Sequence, residues 1–149
     1  MTDTIAPFSR PLYVMLKPVG AHCNMACDYC YYLEKSKLYD NVPRHIISEE
    51  LLERFTQEYI EAQTTPEVLF TWHGGEPMAR PLAFYKKAIA LQRRYAKGRV
   101  ITNVIQTNGS LITDEWWRMN LTVCCIVSVG KPVLTAERYS SHTNPKATA

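Results

Sequence analysis

The chain has 149 residues, enough for one ordinary domain, and its 46% hydrophobic and 21% charged content matches a globular core, which excludes disordered and collagen-like classes. A formal charge of +3, with Lys and Arg scattered, argues against a nucleic-acid partner, and no apolar run is long enough to cross a bilayer, which argues against a membrane one. Met1 to Arg10 lacks the pattern of a signal peptide, so the expected location is the cytoplasm, where five cysteines, an odd count, serve metals or catalysis more often than disulfides.

Leu12 to Leu16 is a short apolar run that reads as a buried strand, ended by Lys17-Pro18-Val19-Gly20. A loop with Cys23, Cys27 and Cys30 follows. Ser48 is placed to cap a helix, with Ile47 packing on Leu52 as a staple, and Leu51, Leu52, Phe55, Tyr59 and Ala62 form its apolar stripe. Pro66 marks the exit, Val68 to Trp72 reads as a second strand, and a tight Gly74-Gly75-Glu76-Pro77 segment follows. Pro81 suits the first turn of the next helix, whose inner side carries Leu82, Tyr85, Ala88, Ile89 and Gln92, and Gly98 can end it. Val100 to Ile105 is the third strand and runs into Gln106-Thr107-Asn108-Gly109. Thr113 can cap a short helix through Trp116 and Trp117, and Leu121 to Val129 is a fourth strand candidate. Alternating strands and helices predict an α/β fold with a parallel sheet. Ligands of such sheets bind at the carboxyl ends of the strands, and the cysteine loop, Gly74 to Pro77 and Gln106 to Gly109 each follow one.

Cys23-Asn24-Met25-Ala26-Cys27-Asp28-Tyr29-Cys30 supplies three soft thiolates from one loop. Three thiolates can hold three irons of a four-iron cluster and leave the fourth iron open for a ligand that is not protein. Zinc is the alternative, with His22 or Cys124 as a fourth ligand in a closed tetrahedral site. A third reading is a helical packing stripe, since Cys packs as a small hydrophobe, although Pro18, Gly20 and Asn24 disfavour a regular helix there. Cys124 and Cys125 are adjacent on the fourth strand candidate, so their side chains point to opposite faces and read as packing. Gln106 and Asn108, at a strand end, are expected to shape the site through their side-chain amides.

The three-cysteine array, with Tyr29 before its last member, resembles the signature of radical S-adenosylmethionine enzymes, and Gly74-Gly75-Glu76-Pro77 resembles their second motif. Leu16-Lys17-Pro18, the Cys30-Tyr31-Tyr32 step, and Gln106-Thr107-Asn108-Gly109 followed by Leu111-Ile112-Thr113 are similar to anaerobic sulfatase-maturating enzymes. Those convert a Cys or Ser of a sulfatase into formylglycine. The likeness runs from about Leu12 to Trp117 and implies the first part of a partial TIM-type β/α barrel. It also implies a 4Fe-4S cluster on Cys23, Cys27 and Cys30, with S-adenosyl-L-methionine as second cofactor. Tyr29 would give the adenine a backbone contact, and Gly74, Gly75, Glu76 and Pro77 would meet the methionine end. Tyr32, His73 and Gln106 would face the substrate. The implied partners are a sulfatase polypeptide or peptide and an electron donor such as flavodoxin or ferredoxin.

The resemblance is partial toward the end of the chain. Ile126 to Pro132 resembles the family's Ser-Ile-Asp-Gly-Pro segment, which makes Ser128 a cofactor-binding candidate, but the Asp is missing. A later cofactor-binding arginine aligns with Ser140, and Arg138 is out of register. Residues 1–11 read as a tail, 12–129 as a partial radical S-adenosylmethionine core and 130–149 as a divergent tail. The family's catalytic base and its SPASM-type C-terminal domain with auxiliary clusters are expected to lie beyond this chain, which therefore reads as a truncated, incomplete half-barrel. Two other readings of function remain: a maturase of another peptide, and a small zinc-binding interaction module.

Overall fold

The computed structural model describes residues 10–36, 46–119 and 122–125. Four parallel strands lie side by side in the order of the chain: β1 (Met15–Leu16), β2 (Glu67–Trp72), β3 (Val100–Thr107) and β4 (Thr122–Cys125). Parallel neighbours require crossovers, and helices α2 (Glu49–Glu61) and α3 (Leu82–Tyr95) belong to the first two of them. Two single-turn helices, α1 (Leu33–Ser36) and α4 (Asp114–Trp117), and a 3-10 turn at Pro77–Ala79 complete the described elements. No helix of the described residues is long and apolar enough to cross a membrane.

Most expected elements form close to their expected places, and the differences have local causes. The first strand shrinks to Met15–Leu16 because Leu12 spends its backbone groups on side chains. Its N–H donates to Gln63 Oε1 at 3.1 Å, and its C=O accepts from Gln63 Nε2 and Tyr59 Oη, both at 3.1 Å. Ser48 caps α2 as expected, its hydroxyl accepting from the Leu51 N–H at 3.1 Å, and Ile47 packs on the core. Leu51, expected in the apolar stripe, is instead 54% exposed, and Ile60 takes its share of the buried face with Leu52, Thr56 and Tyr59. Pro81 stands at the N-cap of α3, whose buried face carries Phe84 and Leu91 beside Tyr85, Ala88 and Gln92. Gly98, at φ +84°, follows the helix as expected. Thr113 occupies the N-cap of α4, but its side chain makes no capping hydrogen bond. The fourth strand forms at Thr122–Cys125, and the remainder of its expected range lies outside the described residues.

The central strands carry the core. Phe70 and Trp72 of β2 point to the helical side and stack at 6.2 Å, and Trp72 meets Phe84 and Tyr85 edge-on at 6.0 and 5.3 Å. Tyr59 reaches Phe70 from α2 at 5.1 Å, and Trp116 closes on Tyr85 at 5.0 Å. A polar triad fastens this column to β3. Trp72 Nε1 donates to Asn103 Oδ1 at 2.9 Å, Gln92 Nε2 donates to the same oxygen at 2.9 Å, and Asn103 Nδ2 donates back to Gln92 Oε1 at 2.7 Å. Replacing Asn103 by Leu leaves the buried Trp72 and Gln92 groups without partners, at a cost of about 1–3 kcal/mol each. The expected outcome is a lower urea midpoint with an unchanged slope, read by equilibrium unfolding.

Candidate cofactor site at the carboxyl rim of the sheet

The rim is assembled by backbone continuity from β1 into β2. The His73 N–H donates to Leu16 O at 2.8 Å, Gly75 N–H to Gly20 O at 2.9 Å, and Glu76 N–H to His22 O at 2.8 Å. Residues 16–22, which lead into the cysteine loop, thus lie along the exit of β2. The approach is close enough to require glycine: a Cβ on Gly75 would come within 2.0 Å of His22 O, and one on Gly74, at φ +125°, within 2.6 Å of Gly20 O. The neighbour that the glycine pair admits is the chain entering the cysteine loop. Both glycines also line the cavity described below.

Glu76 holds the second junction. It is fully buried, and each carboxylate oxygen is engaged. Oε1 accepts from Met78 N–H at 2.8 Å and from Thr107 Oγ1 at 2.7 Å, while Oε2 accepts from Asn108 N–H at 2.8 Å. The side chain therefore joins the 3-10 turn after β2 to the end of β3, and neither Glu76 nor Pro77 is among the residues lining the cavity. Tyr85, buried beneath, donates its hydroxyl to Pro77 O at 2.7 Å; burial first, and the nearby Glu76 charge second, push its phenol far above the usual range.

Above these junctions opens a cleft of about 330 Å³, within the size range of small-molecule sites. The three thiols of Cys23, Cys27 and Cys30 line it, all unpaired in disulfides, together with Tyr29, Tyr32, His73, Gly74, Gly75 and Gln106. Tyr29 is 62% exposed at its mouth. The structure thus brings together on one cleft nearly every expected site residue, leaves Glu76 and Pro77 beneath it, and does not describe Ser128. Among the described residues no three His, Cys, Asp or Glu side chains converge tightly enough to share one ion. A structural zinc draws its ligands within about 2.0–2.3 Å of a single metal, whereas a cluster gives each thiolate its own iron. Three free thiols on one cleft are a donor set that such a cluster can take.

His73 sits half-buried in the cleft wall. Its Nδ1 accepts from the Gly74 N–H at 2.6 Å and lies 3.5 Å from the Tyr32 hydroxyl, so the hydrogen-bond network assigns the ring proton to Nε2. Burial lowers its pKa, the Lys17 ammonium lowers it further, and a hydrogen bond with Gln106 opposes them. Lys17 itself lies over the Tyr32 ring, 4.8 Å from the centroid. Sequence reasoning missed Asn24 and Ser110, which tie the cysteine loop to the β3 rim: Asn24 Nδ2 donates to Ser110 Oγ at 2.8 Å, and Asn108 Nδ2 donates to Asn24 Oδ1 at 3.0 Å. Asn24 had a signal, a polar side chain between two cysteines; Ser110 had none.

Two outcomes follow from this geometry. Glu76→Gln keeps the volume but gives the pocket an amide with a single acceptor, so one of three donors is left facing an NH2 group. The expected cost is about 1–3 kcal/mol, read as a lower thermal midpoint of the folded chain. His73 binds a proton less readily folded than unfolded, so stability should rise with pH across the window just below the ordinary histidine value of about 6.5. His73→Gln should flatten that dependence, measured by denaturation over a pH series.

The family model for the radical SAM superfamily matches residues 18–130. A serine-type anaerobic sulfatase-maturating enzyme of Bacteroides thetaiotaomicron is 67% identical over 113 residues, covering 76% of this chain and 27% of that protein. The serine-type enzyme of Klebsiella pneumoniae is 46% identical over 73% of this chain and 27% of its own length, and the cysteine-type enzyme of Clostridium perfringens 34% identical over 71% and 29%. Among solved structures, "native anSMEcpe with bound AdoMet and Cp18Cys peptide" superposes with a TM-score of 0.59 at 32% identity, over 69% of this chain and 26% of that one. The chain spans between a quarter and a third of the length of these relatives, and corresponds to the N-terminal part of the sulfatase maturases. With a family model matching most of its length and a parallel sheet whose carboxyl rim gathers three cysteines, the chain belongs to the radical SAM superfamily.

Proposed function

We propose that this chain forms the cluster- and cofactor-binding part of a sulfatase-maturating enzyme, one that oxidises a sulfatase residue to formylglycine. The observation that carries the reading is the single cleft on which three free thiols, the glycine pair and Gln106 meet. Cys23, Cys27 and Cys30 each hold one iron of a four-iron cluster, and the fourth iron is left to S-adenosyl-L-methionine. The bound cluster and cofactor, supplied with an electron by a flavodoxin- or ferredoxin-type donor, furnish the hydrogen-abstracting chemistry. Residues 12–129 make up this core, and the cytoplasm suits its reduced thiols.

The remaining work is positioning by side chains of this chain. Tyr29 offers its backbone to the adenine, the Gly74 and Gly75 backbone meets the methionine end, and Ser128 is a further cofactor contact. Glu76 and Pro77 serve the same end from below by fixing the glycine pair. Tyr32, His73 and Gln106 face the substrate. His73, neutral with its proton on Nε2, brings no charge to the cleft wall, which suits an uncharged serine or cysteine side chain. The relatives named serine-type match at 67% and 46% identity, above the 34% of the cysteine-type enzyme, so serine is the side chain to test first.

Anaerobic reconstitution with iron and sulfide tests the reading by ultraviolet-visible and paramagnetic resonance spectra. A four-iron cluster is expected in the parent chain, and its loss in each of Cys23→Ala, Cys27→Ala and Cys30→Ala, with Cys124→Ala and Cys125→Ala retaining full iron. Colourless protein holding one tight zinc would overturn it. With strong reductant and cofactor the reconstituted chain should release 5′-deoxyadenosine slowly while leaving a serine-containing sulfatase peptide at its original mass, because it spans only about a quarter of the length of the maturases it matches. Loss of two hydrogens from that peptide, seen by mass spectrometry, would place the whole reaction in these 149 residues.

A further inference from the structure

We infer that Asn108 is a positioning residue that donates a hydrogen bond to the Cys23 thiolate and thereby raises the reduction potential of the cluster held there, an inference that rests on the cluster reading above. Two N–H groups point at this sulfur: the Met25 backbone N–H at 3.4 Å and Asn108 Nδ2 at 3.7 Å, distances suited to the larger radius of sulfur. The first comes from the cysteine loop itself. The second crosses from the end of β3, so it is available only if two separately folded rims hold a fixed spacing.

That spacing is built in. The Asn108 backbone N–H is bound by the buried Glu76 carboxylate at 2.8 Å, and its side-chain oxygen accepts from Ser110 N–H at 2.9 Å and from Ser110 Oγ at 2.7 Å. With Oδ1 occupied on one side, the amide is oriented and Nδ2 is aimed at the cysteine loop, where it meets Asn24 Oδ1 at 3.0 Å and the Cys23 sulfur. An amide flip would place Oδ1 against both the Asn24 oxygen and the sulfur, three acceptors together, and is disfavoured. A donor fixed in this way stabilises negative charge on sulfur more in the reduced cluster than in the oxidised one, so it favours reduction. No electron or proton is transferred by Asn108.

The test is a reductive titration of the reconstituted chain, followed by paramagnetic resonance, in the parent and three variants. Asn108→Asp keeps the acceptor for Ser110 and removes the donor; Asn108→Leu removes both. Each should assemble the cluster and show a lower midpoint potential than the parent. Ser110→Ala removes the hydroxyl contact but keeps the Ser110 N–H on Asn108 Oδ1 and the Nδ2 donor itself, so the potential should fall less than in either Asn108 variant. Resonance Raman spectra in light and heavy water provide a second readout: the parent's Fe–S(Cys) bands should shift on deuteration, and both Asn108 variants should shift less. An unchanged potential in both Asn108 variants, or an equal fall in Ser110→Ala, would overturn the inference. So would loss of the cluster in a folded Asn108→Asp protein, because the three thiolates would then not suffice without the donor. Absence of any cluster from the parent chain would instead overturn the cluster reading itself.

Discussion

One carboxylate fixes the relative positions of three chain segments. The Glu76 main chain donates to His22 O, at the doorway of the cysteine loop, while its side chain accepts from the 3-10 turn and from two groups at the end of β3. A fully buried carboxylate is tolerated only when its lone pairs are satisfied by good donors, and here three N–H or O–H groups supply them. Every described residue proposed to touch cluster, cofactor or substrate is mounted on one of the segments that this residue joins. Glycine at position 75 is the steric counterpart: only without a Cβ can β2 run so close to the entering strand that Glu76 reaches all three.

Beneath the rim, the aromatic column decides rigidity. Edge-to-face and stacked pairs from Phe55 and Tyr59 through Phe70 and Trp72 to Tyr85 and Trp116 each add about 0.5–1.5 kcal/mol beyond the burial of their surface. The ion pairs that cross from α3 and its exit to α2, among them Arg94 to Glu53 at 3.1 Å and Lys97 to Glu61 at 2.8 Å, are solvent-exposed and screened, so they contribute little. Packing therefore outweighs surface charge in holding the helices to the sheet. A stiff sheet is what a cofactor rim requires, since its loops inherit the position of the strand ends.

Periodicity and punctuation were enough to read the strand and helix order, because Pro66, Pro81, Ser48 and Gly98 act locally. What escaped were choices settled by distant partners. Leu12 looks like strand, but Gln63 and Tyr59, some fifty residues away, take its backbone groups. Leu51 fits a helical stripe, yet the sheet lies on the Ile60 side. The rim was legible as three motifs at three strand ends, and the cleft gathers them. The burial of Glu76 was not legible, since a carboxylate in a glycine-rich turn reads equally as a ligand contact or a strut, and only the position of Thr107 and Asn108 decides where its oxygens go.

The cysteine loop contributes little to the apolar core: Met25 and Tyr29 are exposed, and its tethers to β3 are amide and hydroxyl contacts. The sheet and helices bury their aromatic column without it. If the rim holds the proposed cluster, the core's packing does not draw on it, unlike in small zinc modules, where the metal supplies the free energy that orders the backbone. On the proposed cluster reading, iron and sulfide would be loaded onto a rim whose supporting sheet and helices are ordered by packing.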